Sequence, residues 1–221
     1  MIKRIQFLLF FLWLTVSAAY SQAGFPFWKE VQQFKKEDSL RFPASNQALF
    51  IGSSSFTMWK DVQDFFPKYK ILNRAFGGSQ LLDLIRYRYE VIFPYQPKQI
   101  VMYCGENDFA ASDTVTVIIA VNRFKTLFGL LREKYPNVPF AYVSMKPSPS
   151  RKHLMKKYEA ANDSIATWLS GFKKTKFVDV FHAMLDEKGE PMEDIFLQDR
   201  LHMKGKGYAM WKKLIEPVLK K

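Results

Sequence analysis

The chain has 221 residues, a formal net charge of +12 and 48% hydrophobic residues, of which a third are aromatic. That length suits one domain with a full core. The single cysteine, Cys104, excludes an internal disulfide, so packing alone must hold the fold, and Cys104 itself, in an apolar run, reads as a small buried hydrophobe. The basic balance permits an anionic partner, but the lysines are spread over helix faces with no nucleic-acid motif among them, so a solvated basic surface is expected and no nucleic acid.

In chain order, Lys3 and Arg4 give a positive start, residues 5–16 are almost wholly apolar, and Ser17-Ala18-Ala19 and Ser21-Gln22-Ala23 offer small residues for cleavage. This predicts a secretory signal peptide over 1–22 and a mature domain over 23–221. The apolar stretch falls short of the roughly 20 residues a membrane span needs. An uncleaved N-terminal anchor is the alternative. No cysteine follows that would carry a lipoprotein anchor. The expected location is secreted or periplasmic, with no stable membrane insertion after cleavage.

Five short runs rich in branched or aromatic residues predict strands at 48–51, 71–75, 99–104, 140–145 and 177–181. None alternates cleanly, which fits strands buried on both faces of a parallel sheet. Helical spacing relates Val117, Val121, Phe124, Phe128 and Leu131. It also relates Met155, Tyr158, Ile165, Trp168 and Leu169, and then Tyr208, Trp211, Ile215 and Val218. These stripes are assigned to the core. Shorter helices are predicted at 28–34 and 81–89, and a polar loop at 186–194. Strands alternating with helices imply an α/β fold, with ligands beyond the carboxyl ends of the strands.

The residues that could carry chemistry fall at those ends. Ser54, within Ser53-Ser54-Ser55, follows the first strand; Gly77-Gly78 follows the second; Gly105-Glu106-Asn107-Asp108 follows the third; Asp199-Arg200-Leu201-His202 precedes the last helix. A serine, a histidine and an aspartate are the parts of a nucleophilic hydrolase. Singly, each segment reads as an ordinary turn, cap or surface pair. No cluster of His, Cys and carboxylates has metal-ligand spacing, so no metal or other cofactor is expected.

Together, in this order, the four segments resemble the SGNH (GDSL) hydrolase superfamily across nearly all of the mature chain. The family's Gly-Asp-Ser block is matched by Gly52-Ser53-Ser54, its glycine block by Asn73-Arg74-Ala75-Phe76-Gly77-Gly78-Ser79, its Gly-x-Asn-Asp by Gly105-Glu106-Asn107-Asp108, and its Asp-x-x-His by Asp199 to His202. Ser53 stands where the family has aspartate, a residue outside the triad. The resemblance implies a three-layer α/β/α sandwich with five parallel strands in the flavodoxin-like order 2-1-3-4-5. It implies a catalytic triad of Ser54, His202 and Asp199, and an oxyanion hole of the Ser54 and Gly78 backbone N–H groups with the Asn107 side-chain amide. Ser53 and Ser55 are the alternative nucleophiles; otherwise they cap the following helix. Asp179 and His182 repeat the Asp-x-x-His spacing without a following helix and read as a decoy, and His153 reads as a surface residue. Trp59 and Arg151, or Lys146 in the same loop as Arg151, are the candidates for substrate contact. The implied activity is a secreted serine esterase acting on small acyl esters, acetyl above all, of a small molecule or glycan. Acyl transfer to another alcohol uses the same residues. A non-catalytic carbohydrate-binding module on a degenerate scaffold is the alternative from another class.

Overall fold

The computed structural model describes residues 24–221. The expected signal peptide lies outside them. The first helix, α1, runs over Trp28–Leu40 and leads into β1, Ala48–Gly52. Two short helices follow, α2 (Ser54–Thr57) and α3 (Val62–Phe65), then β2 (Ile71–Asn73), α4 (Leu81–Arg86), α5 (Arg88–Val91) and β3 (Gln99–Tyr103). Next come α6 (Glu106–Ala111), α7 (Val117–Lys134), β4 (Phe140–Val143), a 3-10 turn at Pro149–Leu154, α8 (Met155–Ser170) and β5 (Thr175–Val178). The last helix, α9, spans Gly205–Ile215. The strands form one parallel sheet in the order β2-β1-β3-β4-β5.

Every residue of β1, β3 and β4 is buried, because the sheet is covered on both faces. Leu49, Ile51, Ile100, Met102 and Tyr142 face the helices that carry Phe124, Leu127, Phe128, Tyr158 and Ile165. Phe50, Val101, Tyr103, Ala141 and Val143 face Phe56, Trp59, Phe66, Trp211 and Ile215. Adjacent strand residues thus enter two different apolar layers, which removes the alternation a one-sided sheet would show.

The strand ends differ from the sequence expectation where side chains take over the backbone's hydrogen bonds. Strand 2 stops at Asn73, whose Oδ1 accepts the Ala75 N–H, rather than at 75. Strand 5 covers Thr175–Val178 rather than 177–181, since Ser144 Oγ accepts the N–H groups of both Val180 and Phe181. Strand 3 stops at Tyr103 and strand 4 at Val143, one and two residues early. The helix expected at 28–34 continues to Leu40; its polar second half is anchored through Asp38 to Arg74 and to the Tyr95 hydroxyl. The helix expected at 81–89 breaks at Tyr87, which leaves helical geometry (φ −91°, ψ 14°). Cys104 is buried, and burial pushes its thiol well above its usual range. Among the described residues no helix is long and apolar enough to cross a membrane.

Candidate functional site

The site begins where β1 ends. Gly52 pairs with Tyr103 at φ +136°, and a Cβ there would lie 1.8 Å from the Tyr103 carbonyl oxygen. Only glycine allows that approach. Ser53 stays extended, donates its N–H to Tyr103 O at 3.0 Å, and the chain turns into α2 with Ser54 at its first position. Of the three serines, Ser53 and Ser55 are buried, while Ser54 is partly exposed. Ser53 occupies the position before α2 but makes no side-chain cap, contrary to the capping role expected of it.

Ser54 Oγ lies 3.0 Å from His202 Nε2, and His202 Nδ1 lies 2.6 Å from Asp199 Oδ2. The carboxylate on Nδ1 selects the tautomer protonated there, which leaves the Nε2 lone pair facing the serine hydroxyl. The other oxygen of Asp199 accepts the backbone N–H groups of Leu201 (3.0 Å) and His202 (2.9 Å). Partial burial pushes Asp199 upward, but the His202 N–H, its ring and the Leu201 N–H outweigh this and hold the carboxyl down at about 2. The turn is closed by the Leu197 N–H donating to His202 O at 2.7 Å and by Arg200 at a left-handed φ of 57°.

Gly78 sits on a segment stapled to the end of β1: the Phe76 N–H and the Ser79 hydroxyl both donate to Gly52 O at 3.0 Å. Its φ of +80° favours glycine there. Asn107, on the first turn of α6, joins the same segment by donating Nδ2 to Ser79 O at 3.1 Å. Its neighbour Asp108 is buried and structural, accepting the Leu81 N–H at the start of α4 and an Arg123 guanidinium N–H. Burial raises its pKa despite both partners.

The candidates for substrate contact divide. Trp59 is 1% exposed and stacks on Tyr208 at 4.8 Å inside the aromatic layer under α2, so it supports that helix from behind and is all but sealed from solvent. Lys146 is equally buried; its ammonium and its backbone N–H both donate to Glu106, and burial pushes its pKa down. Arg151 donates to Asn107 Oδ1 at 2.9 Å and lies 3.5 Å from Glu106. Glu106 was missed in the sequence as the variable residue of Gly-x-Asn-Asp. The usable signal was Lys146 at the end of an apolar strand, since a buried ammonium requires a carboxylate partner.

The repeated Asp-x-x-His does form a pair: His182 Nδ1 is 2.7 Å from Asp179 Oδ2. The ring is largely exposed, and its Nε2 faces Glu159 rather than a hydroxyl. His153 is exposed. Among the described residues no group of three His, Cys, Asp or Glu side chains could hold a metal ion.

A parallel sheet in the order 2-1-3-4-5, with its polar side chains gathered at the carboxyl ends of the strands, is the architecture of the GDSL/SGNH hydrolases. The chain belongs to the GDSL-like lipase/acylhydrolase family, whose model matches residues 52–210. Solved structures with this fold include a GDSL-like lipase from Bacteroides thetaiotaomicron, at 19% identity, TM-score 0.71, and coverage of 85% of this chain and 95% of that one. They include a lipase/acylhydrolase from Enterococcus faecalis, at 17% identity, TM-score 0.61, and coverage of 76% and 93%. A catalytic mutant of an acetylxylan esterase from Geobacillus stearothermophilus matches at 13% identity, TM-score 0.63, and coverage of 80% and 95%. No curated protein matches the sequence.

Proposed function

We propose that this chain is an exported serine esterase that removes small acyl groups, acetyl first among them, from a carbohydrate. The observation that carries the reading is the hydrogen-bonded series Ser54, His202, Asp199 at the carboxyl edge of the sheet. Ser54 Oγ attacks the ester carbonyl while His202 Nε2 takes its proton; the imidazolium is stabilised by Asp199 and returns the proton to the departing alcohol. Water then repeats the sequence on the acyl-serine and releases the acid. The oxyanion is held by the backbone N–H groups of Ser54 and Gly78 and by Asn107 Nδ2. Each such donor is worth about 100–1,000-fold in rate. Ser54 is the first residue of α2, where its N–H has no intrahelical acceptor.

The substrate class is supported by the site's openness, by the predicted signal peptide and by the acetylxylan esterase among the fold neighbours. His202 and Asp199 keep 21% and 47% of their side chains exposed, which suits an ester presented on a bulky polymer. The test is hydrolysis of p-nitrophenyl acetate and of acetylated xylo-oligosaccharides by residues 23–221, with Ser54→Ala alongside. Turnover of both esters that collapses in the variant is expected. Cleavage of the aryl ester alone would remove the carbohydrate from the reading, and equal turnover by the variant would remove the nucleophile.

A further inference from the structure

Arg151 stands at the junction of two parts of the site. It lies in the 3-10 turn after β4, where its backbone (φ −117°, ψ 27°) breaks the turn's regularity. On one side, Ser150 N–H donates to Arg200 O at 3.1 Å, which ties this turn to the one presenting Asp199 and His202. On the other, the guanidinium reaches Asn107 Oδ1 and Glu106. Glu106 is held in turn by the ammonium and the backbone N–H of the buried Lys146. Arg151 is therefore fixed from behind, with one N–H aimed at the carbonyl end of the Asn107 amide.

We infer that Arg151 is a positioning residue for the oxyanion hole, acting on the reaction through the Asn107 amide rather than through the substrate. The inference rests on the esterase reading above. An asparagine amide presents either end with nearly equal shape, so its direction must be imposed by its partners. Here both ends are specified. The carbonyl end meets a cation, and the NH2 end spends one hydrogen on Ser79 O. Reversal would set the NH2 group against the guanidinium and the amide oxygen against the Ser79 carbonyl. The second Nδ2 hydrogen is left to serve the oxyanion. Charge on the carbonyl end also polarises the amide and makes that hydrogen a better donor. This gives Arg151 a different role from the substrate contact its loop suggested, and gives the Glu106–Lys146 pair the task of holding it.

The test is a double-mutant cycle on p-nitrophenyl acetate hydrolysis, with melting curves recorded for every variant and Ser54→Ala as the blank. Arg151→Ala is expected to lower kcat about 10–100-fold with KM within about twofold. Arg151→Lys, which keeps a charged donor, should recover most of that loss, and Arg151→Gln, which keeps a neutral donor, should recover less. Asn107→Ala/Arg151→Ala should be no slower than Asn107→Ala alone, within about threefold, because the two residues act in series. Additive losses, or a raised KM with unchanged kcat, would overturn the inference while Ser54→Ala stays inactive and the esterase reading stands. Turnover by Ser54→Ala equal to wild type would remove both together. If Arg151→Ala fails to fold, the Lys and Gln variants carry the same cycle.

Discussion

Gly52→Ala should damage stability and activity together. At φ +136° an alanine sits in a region that costs roughly 1–3 kcal/mol. Its Cβ would also lie 1.8 Å from Tyr103 O and 2.6 Å from Tyr103 C. Ordinary contact requires a retreat on the order of 1.5 Å between two central strands, and overpacking of that kind adds about 1–3 kcal/mol. The combined loss is about 4 kcal/mol, which in a domain of this size lowers Tm by roughly 8–16 °C. The same displacement moves the carbonyl of residue 52, which accepts from Phe76 N and Ser79 Oγ, and with it the segment bearing Gly78. A misplacement of about 1 Å at a reacting centre costs on the order of 100-fold. Thermal melts by circular dichroism and p-nitrophenyl acetate turnover give both readouts. Gly129→Ala is the control: nothing lies within 4 Å of its Cβ position in α7, so it should stabilise by about 0.5–1 kcal/mol. Gly52→Ala with Tm within about 2 °C of wild type would show that the strands absorb the Cβ without strain, against this expectation.

Three further expectations concern the site and its support. Asp199 is held at about 2, below the ordinary 3.8, so its contribution to stability is present above about pH 4 and fades as pH falls towards 2. Acid titration of Asp199→Asn should flatten that part of the stability curve, and the same variant should lose about 10,000-fold in kcat by favouring the wrong imidazole tautomer. His202→Gln should abolish turnover, whereas His182→Gln should leave kcat/KM within about twofold because its ring faces Glu159 and solvent; equal losses would discredit the assignment. Trp59→Ala should cost about 3–5 kcal/mol in denaturant unfolding through its place in the aromatic layer, with KM unchanged in whatever fraction remains folded. A raised KM without loss of stability would return Trp59 to the substrate.

The α/β class was readable because the buried runs at 48–51, 99–104 and 140–145 lacked alternation, and both faces of those strands are covered. Where the strands stop was not, since Ser144 and Asn73 cap backbone groups that a residue pattern assigns to strands. The order of Ser54, Gly78, Asn107 and the Asp199–His202 pair along the chain was enough to place them at one sheet edge. Distance along the sequence misled for Trp59: α2 is a single turn, and the chain then carries the indole back under the sheet's layer. For Arg151 the sequence identified the right loop but not its neighbour. A contact 44 residues away, made to the carbonyl end of an amide, leaves no periodic trace.

The most direct test of the central claim is labelling of residues 23–221 with a fluorophosphonate, followed by peptide mass spectrometry. A single stoichiometric adduct on Ser54 is expected, absent from Ser54→Ala and His202→Gln. No adduct on the folded wild-type protein, or an adduct on another serine that survives in Ser54→Ala, would contradict it.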